Sequence, residues 1–368
     1  MTNTPTIILV MMLTFLSGCL NQKILDDVQL ATATGFELGE DGKKLEATAV
    51  VPVYKPDLTV ENRTYTSSSE LSKVMRDKLN RQSHKPFVSG KIEVALFSKE
   101  LAEKGIFEVL DTFRRDPSTG AKMHLAVIEG DMKKHLKIQY GETDNGMYLS
   151  DLIEHNIESG ILPKTNLHLF TKDYREEGKD PILPYLKLKE ETVDIIGIAL
   201  FKEDKFIDHI KGEDSYIFMF LNEKFTSDAT LTVQLEGEDE ATDAEEEEDF
   251  ASVFHIKSNR SFEVKNIKTN PTVTLTVKTE AIIQEYSGDD LTKEKIKEIE
   301  KKVEEDIIKK GEVMISRFQE MNIDPLGIGM QFKHRTRDWN KEKWNETYPT
   351  IPVHIEAKIE IVEAGVIS

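Results

Sequence analysis

Cys19 is the only cysteine among 368 residues, and it closes the stretch Leu16-Ser17-Gly18-Cys19 directly behind the apolar run Ile7 to Leu16. A lone thiol in that setting points to acylation. The apolar run is too short to span a bilayer, and the small side chains of Ser17 and Gly18 give a peptidase access to the bond before Cys19. Two acyl chains would bury many methylenes at roughly 0.8 kcal/mol each, the number of chains that makes attachment stable rather than fleeting. Residues 1–18 therefore read as a lipoprotein signal peptide, and the mature chain is expected to be membrane-anchored through a covalent lipid on Cys19. Met1 to Thr6 carries no Lys or Arg, so its positive charge is only the amino terminus. An ordinary secretory peptide with a cysteine at its cleavage point is the alternative.

Other groups that could do chemistry are scattered. With no second cysteine, a disulfide, a zinc-cysteine site and an iron-sulfur cluster are excluded, and so is a cysteine nucleophile if Cys19 is acylated. The nine histidines show neither His-Glu-x-x-His nor another ligand spacing, so no metal is expected, and no Gly-x-Ser-x-Gly elbow is present. The carboxylates are too numerous for spacing to single out a catalytic pair, and the chain is read as a non-enzyme with no cofactor beyond its lipid. Gly327-Ile328-Gly329 is better explained as a tight turn than as a phosphate cradle, which needs more glycines and a helix N-terminus. Asp324 before Pro325 is placed to end the preceding helix, because proline disfavours α geometry in its predecessor. Trp339 and Trp344 are five apart, about 140° on a helix, so they are not expected to stack. Either could wedge into a core or anchor a partner, and Arg335 and Arg337 in the basic cluster before them could meet an acidic partner loop or lipid headgroups. A solvated face is the plainer reading of that cluster.

Removing residues 1–18, which carry no charge, leaves the whole formal charge of −19 on 350 residues. An acidic surface argues against nucleic acid and against electrostatic adhesion to anionic lipid. About half of the net charge lies in Glu236 to Asp249, with ten acidic residues and no Lys or Arg, a run expected as a solvated loop since it lacks calcium-loop spacing. With 39% hydrophobic residues and no later apolar run near membrane-helix length, the part after Cys19 is expected to be water-soluble.

The elements that must position these residues alternate. Val28 to Lys55 reads as a hairpin turning at Gly39 to Gly42. A helix follows, with Ser67 and Glu70 at capping-box spacing and Leu71, Val74, Met75 and Leu79 on one face. Lys91 to Phe97 and Met123 to Ile128 read as strands, separated by a helix with Leu101, Phe107, Leu110 and Phe113 inward. Another helix starts near Ser150 and stops at Gly160 to Pro163. The charged, proline-containing passage Lys172 to Pro184 marks the main boundary, dividing the mature chain into 19–188 and 189–368. Val193 to Phe201 and Lys205 to Ile210 suggest a hairpin through Lys202-Glu203-Asp204, and strands dominate Ala229 to Tyr286. Leu291 to Asn322 carries an apolar stripe at helical spacing, about 48 Å long if Gly311 does not break it, and best explained by packing on a sheet. The expected fold is α+β and multi-domain, with mixed sheets and packed helices.

Three blocks resemble a known family. Ser17-Gly18-Cys19-Leu20 through Ile24-Leu25-Asp26-Asp27-Val28-Gln29-Leu30 to Thr34-Gly35-Phe36 is similar to the start of the Ger(x)C spore germination lipoproteins. Ile195-Ile196-Gly197-Ile198-Ala199-Leu200-Phe201-Lys202 with Asp204-Lys205 resembles the opening of that family's C-terminal half. Asn322-Ile323-Asp324-Pro325-Leu326-Gly327-Ile328-Gly329, followed by Trp339, Trp344 and Tyr348-Pro349, resembles its most recognisable motif. Order and spacing carry the likeness; Leu20-Asn21 stand where the family more often has Trp-Asp. The resemblance implies a germinant-receptor C subunit on the outer face of the spore inner membrane, beside a multi-spanning A subunit and a transporter-like B subunit. A ligand-binding lipoprotein associated with a transporter is the alternative, and would need two matching lobes around a cleft.

Overall fold

The computed structural model describes residues 27–364 apart from 40, 43, 70–71, 191, 228–229, 236–248 and 289. Cys19 with its signal segment, and nearly all of the acidic run, lie outside the described residues.

Apolar runs too regular to face water set the first sheet. Its strands are β2 (Ala33–Leu38), β3 (Leu45–Tyr54), β4 (Val60–Ser69), β6 (Val94–Ser98), β7 (His124–Glu129), β8 (Ile182–Lys189), β9 (Thr192–Lys202) and β10 (Lys205–Lys211), ordered β10-β9-β8-β7-β6-β2-β3-β4. The short pair β1 (Gln29–Leu30) and β5 (Phe87–Val88) lies apart. The four central strands are parallel, and each side is finished by antiparallel strands. A sheet with parallel strands needs both faces covered, and alternation along β6 serves both: Ala95 and Phe97 enter one core, Val94 and Leu96 the other. Helices α2 (Lys99–Lys104), α3 (Phe107–Arg115) and α6 (Leu167–Arg175) supply Leu101, Leu110, Phe113 and Phe170 to the first face. Helices α4 (Met132–Lys137) and α5 (Asn145–Glu158) supply Met132, Leu136 and Ile153 to the second.

The second sheet contains β11 (Phe225–Ser227), β12 (Leu231–Leu235), β13 (Asp249–Lys265), β14 (Thr272–Tyr286) and β15 (Val353–Ala364). β14 and β15 are parallel, so the chain must cross over between them, and α8 (Lys293–Glu320) does so. Its 28 residues make it about 42 Å long. Thr292 caps its start by accepting from the Lys295 amide at 3.2 Å. Ile299, Val303, Ile307, Met314 and Phe318 bury the expected stripe among Val273, Leu275, Val277 and Ile355 of the sheet. Gly311 does not break this helix, which runs continuously from Lys293 to Glu320. A Cβ there would lie 2.6 Å from Ile355 Cδ1, so the glycine lets helix and sheet approach. α7 (Ser215–Asn222), apolar on nearly every side, fills the same core. α1 (Ser72–Gln82), α9 (Ile328–Lys333) and α10 (Lys341–Thr347) complete the helices.

Several expectations need correction. Ser67 does not cap a helix; it lies in β4, a polar edge strand whose carbonyls accept from Lys78 and Gln82 of α1. The inward-facing helix after β6 is two helices, parted at Gly105-Ile106. The passage Lys172 to Pro184 is the end of α6, a turn and the start of β8. Proline fits there because pairing with β7 begins only at Tyr185, leaving no ladder donor required of Pro184. The expected hairpin β9–β10 is present, and it hydrogen-bonds onto β8 to complete the first sheet.

Candidate functional site around the Asp324 to Gly329 loop

The most elaborate polar cluster forms where the chain leaves α8. Asn322 takes φ 51°, its amide donates to Gln319 O (3.0 Å) and the Ile323 amide to Phe318 O (2.9 Å). This paired pattern, with Asn in the left-handed position, terminates the helix. Contrary to the expectation drawn from its place before Pro325, Asp324 does not end α8, whose cap is Met321. Its carboxylate reaches forward to the start of α9, accepting from the amides of Ile328 (2.9 Å) and Gly329 (2.6 Å). Gly327, at φ 72°, makes the turn that brings these amides round.

Asp324 is 2% exposed and is gripped from the first sheet. Its amide donates to Asp180 Oδ2 (2.8 Å), and the Asp180 amide donates back to Asp324 O (2.9 Å). Lys202, at the end of β9, donates to Asp180 Oδ2 (3.2 Å) and to Asn322 O (2.6 Å). Backbones also meet: Met330 N donates to Gly178 O at 3.0 Å, and a Cβ on Gly329 would stand 2.7 Å from Gly178 Cα. Around this centre, Lys333 pairs with Glu176 (2.8 Å), Lys341 with Glu203 (2.8 Å), and Trp339 Nε1 donates to Glu177 (2.8 Å). The result is a clasp between the 176–180 turn, the β9–β10 turn and residues 322–341.

Burial, together with the neighbouring Asp180, pushes the Asp324 carboxyl up to about 7, although the amides of Gly329, Ile328 and Gly327 pull the other way. Burial first, then Asp324 and Asp180, raises the Tyr348 hydroxyl well above its ordinary value, and that hydroxyl has no hydrogen-bond partner among the described residues. Each oxygen of Asp324 is committed to a backbone amide and the group is sealed from solvent, so it fits holding a loop better than moving a proton. Among the described residues no three His, Asp or Glu side chains converge to hold a metal.

The tryptophans depart from expectation. Trp339 and Trp344 do touch, with ring centroids 5.7 Å apart, because Asn340 caps α10 and leaves Trp339 outside the helix whose geometry would separate them. Trp344 is buried between Phe332, Trp339 and Tyr348, so its ring is not presented to a partner. Trp339 is half-buried, while Arg335 and Arg337 are exposed; Arg335 donates to Gln331 O and Oε1. The sequence gives no sign of the roles of Asp180 and Gly178, and it marks Lys202 only as part of a turn and of a family-like block.

Fold and clasp together define a two-sheet α+β scaffold, with no helix among the described residues long and apolar enough to cross a membrane. Residues 21–188 match the family described as spore germination protein N-terminal domain, and residues 196–365 match the family described as spore germination B3/GerAC like, C-terminal. The chain therefore belongs to the Ger(x)C family of spore germination proteins. It is 29% identical over 356 residues to spore germination protein GerQC of Bacillus cereus, covering 96% of each. It is 22% identical over 289 residues to putative spore germination protein YfkR of Bacillus subtilis (strain 168), covering 74% of this chain and 71% of that one. The crystal structure of the GerBC protein has the same fold, with a TM-score of 0.57 at 17% identity, over 91% of this chain and 99% of that chain.

Proposed function

We propose that this chain is the lipid-anchored C subunit of a nutrient germinant receptor, acting without catalysis through contacts with the A and B membrane subunits. The supporting observation is end-to-end: both family regions match in order, and the likeness to GerQC spans 96% of the chain. The clasp supports the same reading, because its charged groups are engaged in holding two sheets together. Cys19 carries the lipid, and the large acidic body stands at the outer face of the spore inner membrane. The two sheets differ in size, strand order and helix cover, which disfavours the matching lobes of a transporter-associated binding protein.

Co-purification from dormant spore membranes tests the assignment, with the A and B subunits expected in the same particle. Deletion should abolish the response to one nutrient class while leaving growth normal, and Cys19→Ser should release the protein from membranes. An unchanged germination response, or a Cys19→Ser protein still firmly membrane-held, refutes it.

A further inference from the structure

The most exposed large apolar side chain among the described residues is Leu58, 91% accessible, in the turn between β3 and β4; Tyr54, at the end of β3, is 66% accessible. The turn is closed by Leu58 N to Lys55 O (3.0 Å) and Lys55 N to Thr59 O (2.9 Å). Leu58 holds φ 67°, a region that favours glycine or asparagine, so a bulky apolar residue is presented to water on backbone poorly suited to it. Neither packing nor local conformation accounts for a leucine there.

Its neighbourhood supplies a reason. Tyr54, Met147 and Val28 line one recess of about 480 Å³, so this end of the sheet is also where the described chain begins. Val28 stands nine positions after Cys19, a reach of at most about 32 Å fully extended. Although the chain carries −19, charges at this end largely offset one another: Lys55 and Arg63 pair with Glu61 at 3.3 and 3.2 Å, and Lys91 with Glu93 at 3.2 Å. Asp57, in the same turn, offsets the second cation of the Lys55, Arg63 and Glu61 group, so repulsion from anionic lipid is modest where the tether holds the protein closest.

We propose that the β3–β4 turn, led by Leu58 and Tyr54, rests in the headgroup layer of a phospholipid bilayer and orients the tethered body on it; this rests on acylation of Cys19. One leucine and one tyrosine bind too weakly to act alone, but a tether of this length turns their insertion into an intramolecular event. The test uses the full lipidated chain in protein-free vesicles of phosphatidylethanolamine and phosphatidylglycerol, with an environment-sensitive fluorophore at Leu58→Cys or, as control, at Lys301→Cys on α8. Both positions are solvent-facing, so labelling leaves the cores intact. Expected is a blue shift with an about twofold rise in emission at position 58, quenching there by lipid-borne spin labels, and neither effect at 301. An aqueous spectrum at 58 while mass spectrometry finds the lipid on Cys19 overturns the proposal alone. A shift at 58 that requires added spore membrane proteins also overturns it, making the turn a protein contact. Absence of lipid on Cys19 overturns the anchoring reading, and the proposal with it.

Discussion

Gly329→Ala puts two known effects in opposition at one atom. In α9 an alanine is favoured over glycine by about 1 kcal/mol through helix propensity. Against this, the new Cβ would lie 2.7 Å from Gly178 Cα and 2.8 Å from both Cε2 and Nε1 of Trp344. Neither neighbour yields easily, one being backbone and the other a ring held between Phe332 and Tyr348. Overpacking of this kind costs about 1–3 kcal/mol. Moving the two backbones apart also lengthens the 2.6 Å bond from the Gly329 amide to Asp324 and the 3.0 Å bond from Met330 N to Gly178 O. Each such bond contributes roughly 1 kcal/mol, more where a carboxylate accepts. The steric and hydrogen-bond losses exceed the propensity gain, and a net destabilisation of about 2 kcal/mol is expected. Urea unfolding followed by tryptophan fluorescence reads it directly, since Trp344 reports on the contact itself. An unchanged or raised midpoint for Gly329→Ala would refute the claim that close backbone approach fixes the clasp.

Gly311→Ala should behave differently: its Cβ crowds only the movable end of Ile355, at 2.6 Å, and touches Leu221 at ordinary contact distances of 3.4 and 3.5 Å, so the cost nearly cancels the helix gain and the unfolding midpoint should stay within about 0.5 kcal/mol of wild type. Glu300 and Glu304 of α8 accept from the Ile361 and Ile359 amides on the free edge of β15, at 2.8 and 2.9 Å. Replacing both by alanine should cost about 2 kcal/mol in urea unfolding and raise self-association in sedimentation, because it bares an edge strand. The Asp324 carboxyl, raised from 3.8 to about 7, contributes stability that is fully present below pH 3.8 and lost as pH rises through about 7. Asp324→Asn should therefore flatten the fall in stability between about pH 4 and pH 7 relative to wild type, and parallel pH profiles would contradict the buried-acid reading. His135, lowered by burial from 6.5 to about 4, has the opposite sign: its contribution is present above pH 6.5 and lost as pH falls through about 4, and its ring resonances in NMR should stay those of neutral imidazole at pH 5.

Legibility in the sequence followed the number of faces each element buries. β14 shows plain alternation because one face is packed, with Val273, Leu275 and Val277 buried and the intervening Thr274 and Thr276 only partly so. The stripe of α8 is equally plain, since a helix lying on a sheet buries one side. β4 gave no alternation because its edge is closed by polar donors from α1, and its Ser67 mimicked a helix cap. α7 was silent for the opposite reason, being apolar on nearly every side and so without a period. The turn at Asp324-Pro325 and Gly327 was legible from local chemistry, but its grip was not. Asp180 and Lys202 stand 144 and 120 residues away from the groups they hold, and nothing local in either stretch announces the other.

That long-range grip also bears on how the two family regions relate. β9 follows the end of the first matched region, yet its alternate side chains enter different cores: Ala199 and Phe201 face the helices of the first sheet, while Ile198 and Leu200 pack with α7 and α8. All four are essentially inaccessible to water. Fully burying side chains such as Ile198, Leu200 and Phe201 contributes about 1.5–3 kcal/mol each, so parting the chain near residue 190 would expose apolar surface on both sides of one strand. The clasp closes the same seam at the end of β9, where Lys202 reaches Asp180 and Asn322 together. Two sheets packed through the side chains of one strand and pinned at its end move as one body more readily than as two. A force applied at either sheet is thus passed to the other through packed side chains rather than absorbed by a linker.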